Sequence, residues 1–256
     1  MKTFCFTVDD NIRFLQSLSA GKEESLFENP YLALFKHLHE KYDLKVQLNL
    51  FYELSGFDLS QMPDRFKAEW EQNAHWLKMS FHSRLEKKDP YISADYEEVY
   101  ADCTAVRHQI LRFAGEKSLG KTTTIHYCQL TPNGIQAMQD LGVQGLLGLF
   151  GSDKSPYSSY SLPENDCALL RKGEILQRND MRFYSLDLVM TLYDTESLLR
   201  RLQTFLHRDS LRVMIHEQYF YPDYHAYQPD FAQKLDLAFD FLTKNGYESC
   251  FAEELT

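Results

Sequence analysis

Short apolar stretches alternate with amphipathic stretches along almost the whole chain. In residues 44–51 the apolar side chains recur at every second position, which is typical of a strand, whereas in residues 30–42 they recur at helical spacing. Such alternation is typical of β/α units around a parallel sheet. The pattern predicts strands at 3–8, 44–51, 76–81, 122–127, 143–147, 183–189, 211–215 and 247–251, and helices at 30–42, 64–73, 96–113, 132–142, 195–206 and 230–244.

The predicted elements amount to seven or eight β/α units, enough to close or nearly close a barrel. No linker divides the chain, so we expect one domain over residues 1–256. Between 148 and 180 the pattern gives way to a stretch rich in Gly, Ser and Pro. We interpret this stretch as an irregular insertion with a hairpin near 168–176.

Composition narrows the partners and the compartment. A formal net charge of -10 without a basic stripe disfavours a nucleic-acid partner. No apolar run is long enough to span a membrane, and Asp9 and Asp10 end the first apolar run too early for a signal peptide. The five cysteines are scattered and odd in number, which suits a reducing compartment. We therefore expect a cytoplasmic protein.

Polar side chains stand where four of the apolar runs end: Asp9 and Asp10, His82, His126 and His216. The carboxyl ends of the strands carry the chemistry of β/α barrels, so these residues are candidates for one site. Adjacent carboxylates repel each other unless a cation or a shared proton intervenes. Aspartate and histidine suit zinc or another first-row divalent ion. The alternatives are a solvated Asp-Asp turn and histidines that are ordinary surface or hydrogen-bonded residues.

Four of the segments form an ordered series: FTVDDN at 6–11, HSRLE at 82–86, LRFAG at 111–115 and VMIH at 213–216. In this order they resemble the motifs of the polysaccharide deacetylase family of carbohydrate esterases. The resemblance implies a distorted (β/α)7-8 barrel of the glycoside hydrolase-deacetylase type, an α/β fold. Asn11, Glu86 and Ala114 replace the Gly, His and Pro of the family motifs, so the chain looks like a divergent branch.

The resemblance also implies one divalent metal ion, with zinc as the first expectation and cobalt, nickel or manganese as alternatives. Asp10 and His82 match metal-binding positions of the family. Glu86 stands where the family has a second histidine, and it can complete the ligand set if the segment begins a helical turn. The alternative is a surface carboxylate beside Lys87.

Further roles are implied around the metal. Asp9 matches the general base, His216 the general acid, and Arg112 the residue that orients Asp9. We expect His126 to contact substrate, although a replacement metal ligand or a core histidine are alternatives. Tyr219 lies in an aromatic loop that can pack on a sugar ring or close the end of the barrel.

The implied activity is removal of an acetyl or similar acyl group from an N- or O-acylated carbohydrate or related amide, with a small-molecule or carbohydrate substrate and no nucleic-acid or membrane partner. One alternative is a glycan-binding pseudoenzyme. Another is a metal-free glycoside hydrolase with a carboxylate pair such as Asp9 and Glu217.

Overall fold

The computed structural model of the protein describes residues 2–87, 90–151 and 159–255. The strands of this part are β1 (Lys2–Asn11), β2 (Val46–Phe51), β3 (Glu53–Leu54), β4 (Phe57–Asp58), β5 (Leu77–Ser83), β6 (Thr122–Thr124), β7 (Gly145–Gly148), β8 (Leu176–Arg178), β9 (Met181–Ser185), β10 (Leu188–Val189), β11 (Ser210–His216) and β12 (Tyr247–Cys250). The helices are α1 (Arg13–Ala20), α2 (Pro30–Tyr42), α3 (Lys67–Asn73), α4 (Tyr96–Phe113), α5 (Pro132–Asp140), α6 (Glu164–Arg171), α7 (Thr195–Thr204) and α8 (Phe231–Lys244). None of these helices is both long and apolar enough to cross a membrane.

The strands form a distorted parallel barrel. One sheet runs β5-β2-β1-β11, and a second runs β6-β7-β9. An isolated bridge between Met79 of β5 and Leu119, which precedes β6, connects the two sheets. On the other side, β9 pairs with β7, the strand is interrupted at 186–187, and β10 then pairs with β11. This split strand closes the barrel and confirms the predicted α/β barrel class.

Local signals set the ends of the most regular helices. Asn29 accepts hydrogen bonds from the first amides of α2 through its side chain, and Pro30 occupies the first position of the helix. Asp95 caps α4 in the same way by accepting from the amide of Glu98. Both helices therefore have the bounds that the sequence pattern predicts.

The region after β7 differs from the prediction. Residues 168–171 belong to α6 rather than to a hairpin, because Cys167 and Leu170 lie three apart and are both buried on one side of a helix. The antiparallel pair is β8 with β9, further along the chain. Residues 152–158 of the predicted insertion lie outside the described residues.

Buried charge holds the split strand in place. Arg212 is fully buried on β11, and its Nε donates to the carbonyl of Ser185 at 2.9 Å. The carboxylate of Asp187 lies 3.3 Å from the same Nε, accepts from the amide of Arg212 at 2.9 Å, and pairs with Arg208. The Asp187 side chain is only 1% exposed. Closure of the barrel thus depends on a carboxylate between two arginines.

We expect the substitution Asp187→Ala to lower the free energy of unfolding by about 3–5 kcal/mol, because Arg212 would remain buried without its counter-ion. Urea unfolding measures the difference. Glu196→Ala is the control, since the Glu196 side chain is 81% exposed in its pair with Arg200 and its loss should cost less than about 1 kcal/mol. Equal losses in the two variants would contradict this account of closure.

Candidate metal and catalytic site

The carboxyl ends of four strands meet at one cavity. Its volume is about 540 Å³, and its lining includes Asp9 and Asp10 from the end of β1, His82 from β5, His126 just after β6, and His216 from β11. The structure thus brings together the polar residues that end the apolar runs of the sequence.

A backbone turn lets both carboxylates of β1 reach this cavity. Successive side chains of a regular strand point to opposite faces, but Asp10 has φ 62°, in the left-handed region that Asp tolerates better than most residues. The pairing of β1 with β2 shifts register between Val8 and Asn11 at the same place. The Asn11 side chain supports the turn by donating to the carbonyl of Val8 at 2.5 Å.

Three donor atoms form a compact triangle. His82 Nε2 lies 3.0 Å from Asp10 Oδ1 and 3.1 Å from His126 Nδ1, and the last two atoms are 3.2 Å apart. A divalent ion about 2.1 Å from each donor requires separations of roughly 3.0–3.4 Å. Among the described residues, these three are the group of His, Cys, Asp or Glu side chains close enough to hold a metal ion.

Hydrogen bonds around the triangle favour metal binding. His82 Nδ1 lies 2.5 Å from the carbonyl oxygen of Thr124, which can only accept, so Nδ1 carries the proton and Nε2 is left for a ligand bond. Gln218 donates to Asp10 Oδ2 at 2.6 Å, which leaves Oδ1 to the histidines. The ring of Phe51 packs against both His82 and His126, with centroids 5.3 and 4.9 Å away.

The carboxylates and histidines perturb each other strongly. Burial alone would raise the pKa of Asp10, but hydrogen bonds with His126 and His82 hold it well below its usual range. Burial raises the pKa of Asp9, against the opposing charges of His82 and His216. Burial would lower the pKa of His82, yet the charges of Asp9 and Asp10 raise it. The charges of Asp9 and Asp10 thus favour a cation at His82, while burial disfavours the charged form of each of these groups.

The third corner of the donor triangle is His126 and not Glu86, the ligand that the sequence resemblance implied. Residues 84–86 form a bend rather than a helical turn, and Glu86 is exposed at the rim of the cavity. Glu86 is not part of the donor triangle, whereas His126, expected to contact substrate, supplies one of its corners. The reason is topological, since β6 lies beside β5 and its end lies next to His82.

Arg112 does not make the contact that was expected of it. It is still helical at the end of α4, and its guanidinium donates to the carbonyls of Met62 at 2.7 Å and Leu59 at 2.9 Å. No hydrogen bond or ion pair connects it with Asp9 anywhere in residues 2–87, 90–151 and 159–255. The residue that donates to Asp9 is Asn49, from Nδ2 to Oδ1 at 2.7 Å.

His216 and Tyr219 lie together in the wall of the cavity formed by the end of β11 and the segment that follows it. Asp9 and His216 are directly paired in the β1-β11 register. The Nδ1 atom of His216 lies 3.1 Å from the hydroxyl of Thr191, and its ring is 5.9 Å from that of Tyr219. Tyr219 also packs edge-on against Tyr224, and both rings line the cavity.

Sequence reasoning missed three of the supporting residues. Gln218 follows His216 by two positions, so its place beside a strand end was a usable signal. Asn49 lies within an alternating strand, where a polar residue normally indicates solvent. Thr191 has no distinguishing signal in the sequence.

Three backbone amides donate hydrogen bonds to the carboxylate of Glu217. It is fully buried, and its Oε2 accepts from the amides of Ile12 at 2.6 Å and Arg13 at 2.9 Å. Its Oε1 accepts from the amide of Phe14 at 2.7 Å and the hydroxyl of Tyr221 at 2.8 Å. This carboxylate therefore satisfies the first amides of α1, a helix that local pattern did not predict. With both oxygens engaged, it cannot serve as the second carboxylate of a glycosidase pair with Asp9.

We expect Glu217→Ala to lower the free energy of unfolding by about 3 kcal/mol or more, because buried amides would lose charge-assisted acceptors. Glu217→Gln keeps the shape and one carbonyl acceptor, so it should cost less. Thermal unfolding of the two variants and of the parent protein measures the order of their stabilities. Stability unchanged in Glu217→Ala would refute a capping role.

Three solved structures that resemble this chain are only 11–13% identical to it in sequence. No protein-family model matches the sequence, and no curated protein matches it. A family 4 acetyl xylan esterase from Clostridium thermocellum, in complex with a cobalt ion, is 13% identical with a TM-score of 0.55, covering 99% of this chain and 89% of its own. A CE4 family pseudoenzyme from Bacillus anthracis is 11% identical with a TM-score of 0.55, covering 99% of this chain and 65% of its own.

A third similar structure has another activity. The 4-alpha-glucanotransferase from Thermococcus litoralis is 11% identical with a TM-score of 0.57, covering 99% of this chain and 40% of its own. These likenesses confirm the fold expected from the sequence resemblance, that of the CE4 polysaccharide deacetylases. Because a glucanotransferase has a similar fold, the reaction must be argued from the site.

Proposed function

We propose that the protein is a metal-dependent hydrolase that removes an acetyl or similar acyl group from an N- or O-acylated carbohydrate or a related amide. The observation that carries the proposal is the donor triangle of Asp10, His82 and His126, with separations of 3.0–3.2 Å. Asp9 and His216 line the same cavity and supply an acid and a base. The likeness to an esterase crystallised with cobalt supports the choice among functions for this fold.

The proposed metal ligands are Asp10, His82 and His126, with zinc as the ion and cobalt, nickel or manganese as alternatives. Two imidazoles and one carboxylate are a common ligand set of catalytic zinc, which keeps a further position open. Once bound, such an ion would polarise the acyl carbonyl and acidify a water. Glu86, exposed at the rim, is left to contact substrate.

Proton transfer is assigned to residues on two paired strands. Asp9 would take the proton of the attacking water, and His216 would protonate the leaving amine or alkoxide. The contact of His216 Nδ1 with Thr191 leaves Nε2 as the nitrogen for the substrate. Because Asp9 and His216 are register partners, base and acid are held side by side on adjacent strands.

The aromatic wall suits a carbohydrate substrate. Tyr219 and Tyr224 present rings to the cavity, and aromatic faces pack well on the apolar faces of sugar rings. We further propose one domain over residues 1–256, supported by the pairing of β12 with β1 at opposite ends of the chain. A cytoplasmic location is part of the proposal, in line with five cysteines that are scattered along the sequence and odd in number.

A glycan-binding pseudoenzyme is the second candidate function. It is favoured by the missing contact between Arg112 and Asp9 and by the likeness to a pseudoenzyme. Metal binding without acyl release would distinguish it from the hydrolase.

We expect the chelator-treated protein to bind one zinc ion, and Asp10→Ala, His82→Ala and His126→Ala each to weaken binding at least about 100-fold, because each removes a direct ligand. Isothermal titration calorimetry measures the affinity. Glu86→Ala is the matched control, a cavity-lining carboxylate outside the triangle, and its affinity should stay within about threefold of the parent. Loss of binding in Glu86→Ala with retention in His126→Ala would reverse the assignment of the third ligand, and indifference to all four changes would exclude this metal site.

We expect the zinc-loaded protein to release acetate from acetylated sugars. Asp9→Asn and His216→Ala should each lower kcat by about 100- to 10,000-fold, the usual contribution of a general acid or base. Acetate release and calorimetric zinc affinity, measured on the same variants, separate a role in proton transfer from a role in metal binding. If either variant keeps full kcat, the corresponding residue is not an acid or base in the reaction.

A further inference from the structure

We propose that Asn49 is the positioning residue of Asp9 and takes the place that the sequence resemblance gives to Arg112. The inference rests on the proposed function, in which Asp9 is the base. It concerns the direction in which the Asp9 carboxylate points, and so the oxygen that meets the attacking water.

Asn49 is fully buried in the interior of the barrel, on β2 beside β1. Its Nδ2 donates to Asp9 Oδ1 at 2.7 Å. Within the described ranges it is the only hydrogen-bond donor to Asp9, while His82 and His216 act on the carboxylate through their charge. Asp9 Oδ1 is thereby engaged, so Oδ2 is the oxygen left to accept a proton from water in the cavity.

The orientation of the Asn49 amide follows from its neighbours. The main-chain carbonyl of Thr122 can only accept, so the Gln47 atom 2.9 Å from it must be the amide nitrogen, Nε2. The same Nε2 lies 2.9 Å from Asn49 Oδ1, which must therefore be the carbonyl oxygen. The remaining atom, Nδ2, then faces Asp9 with its hydrogens. The hydroxyl of Thr122 donates to Gln47 Oε1 at 2.9 Å and completes the series.

This series of hydrogen bonds connects Asp9 to β6, the strand that leads to His126. It crosses the barrel through buried side chains, so neither amide can rotate without leaving polar groups unsatisfied. A neutral amide also orients the carboxylate without adding a full positive charge beside a site for a cation.

The test compares Asn49→Leu, which keeps the approximate shape and removes the donor, with Asn29→Leu. Asn29 is another buried asparagine, which caps α2 and lies outside the cavity lining. Acetate release should show kcat about 100-fold lower in Asn49→Leu, the usual cost of a misplaced reacting group. KM and zinc affinity should stay within about twofold, and Asn29→Leu should keep the parent kcat despite a comparable loss of stability.

Gln47→Leu leaves Asn49 in place but removes the bond that orients it, so we expect an intermediate loss of kcat at unchanged zinc affinity. The same kcat in Asn49→Leu and Asn29→Leu would overturn the positioning role. A loss of zinc affinity in Asn49→Leu that accounts for the whole fall in kcat would overturn it as well.

A second measurement separates this inference from the proposed function. The side-chain amide resonances of Asn49, assigned by their disappearance in Asn49→Leu, should shift in the nitrogen-15 spectrum of Asp9→Ala if they donate to Asp9. If the parent protein releases no acetate, the proposed function fails while this shift still supports the positioning contact. Resonances that do not respond to Asp9→Ala refute the contact whatever the activity.

Discussion

Two adjacent carboxylates are buried together at the end of β1, and the rest of the site depends on how their charge is accommodated. Burying an unpaired carboxylate costs several kcal/mol, so each must find its own partners. Asp10 meets two imidazoles and the amide of Gln218, whereas Asp9 meets the amide of Asn49. The left-handed backbone at Asp10 is what brings both side chains to one cavity. Such strain persists only where surrounding bonds hold it.

A third buried carboxylate supplies much of that support. Glu217 accepts hydrogen bonds from the amides of Ile12, Arg13 and Phe14, which follow the strained turn at Asp10. It also follows His216 in the sequence, so one residue couples the end of β11 to the start of α1. The proposed acid, His216, and the turn that carries Asp10, a proposed metal ligand, are therefore connected through the N-terminus of α1.

The parts that the sequence could predict are those with local causes. A cap residue before a proline sets the start of α2, and an apolar run that ends in a polar residue locates His82, His126 and His216 at strand ends. The parts that it could not predict depend on distant neighbours. Helix α1 begins where Glu217 caps it from more than 200 residues away, and the proposed role of His126 depends on β6 lying beside β5.

Arg112 and Asn49 illustrate the same limit. A motif match places an arginine in the sequence but does not determine which acceptors its guanidinium reaches, and the carbonyls of residues 59–62 occupy this one. Asn49 was hidden because alternation along β2 suggests a solvated polar face, whereas every residue of β2 is buried. Barrel closure turns that face inward and makes it available to the site.

The three donors of the triangle lie far apart in the sequence, so the packing of the barrel strands sets the distances between them. The sequence resemblance implied two metal ligands on one local segment, His82 and Glu86. Here Asp10 and His82 lie on β1 and β5 and His126 follows β6, so their separations depend on how β1, β2, β5 and β6 pack together. In the described residues, β5 and β6 are joined by one bridge, by the hydrogen bond from the amide of Gly120 to the carbonyl of Met79, and by side-chain hydrogen bonds of Thr123 and His82. A shift between β5 and β6 would therefore move His126, a proposed metal ligand, as well as a strand.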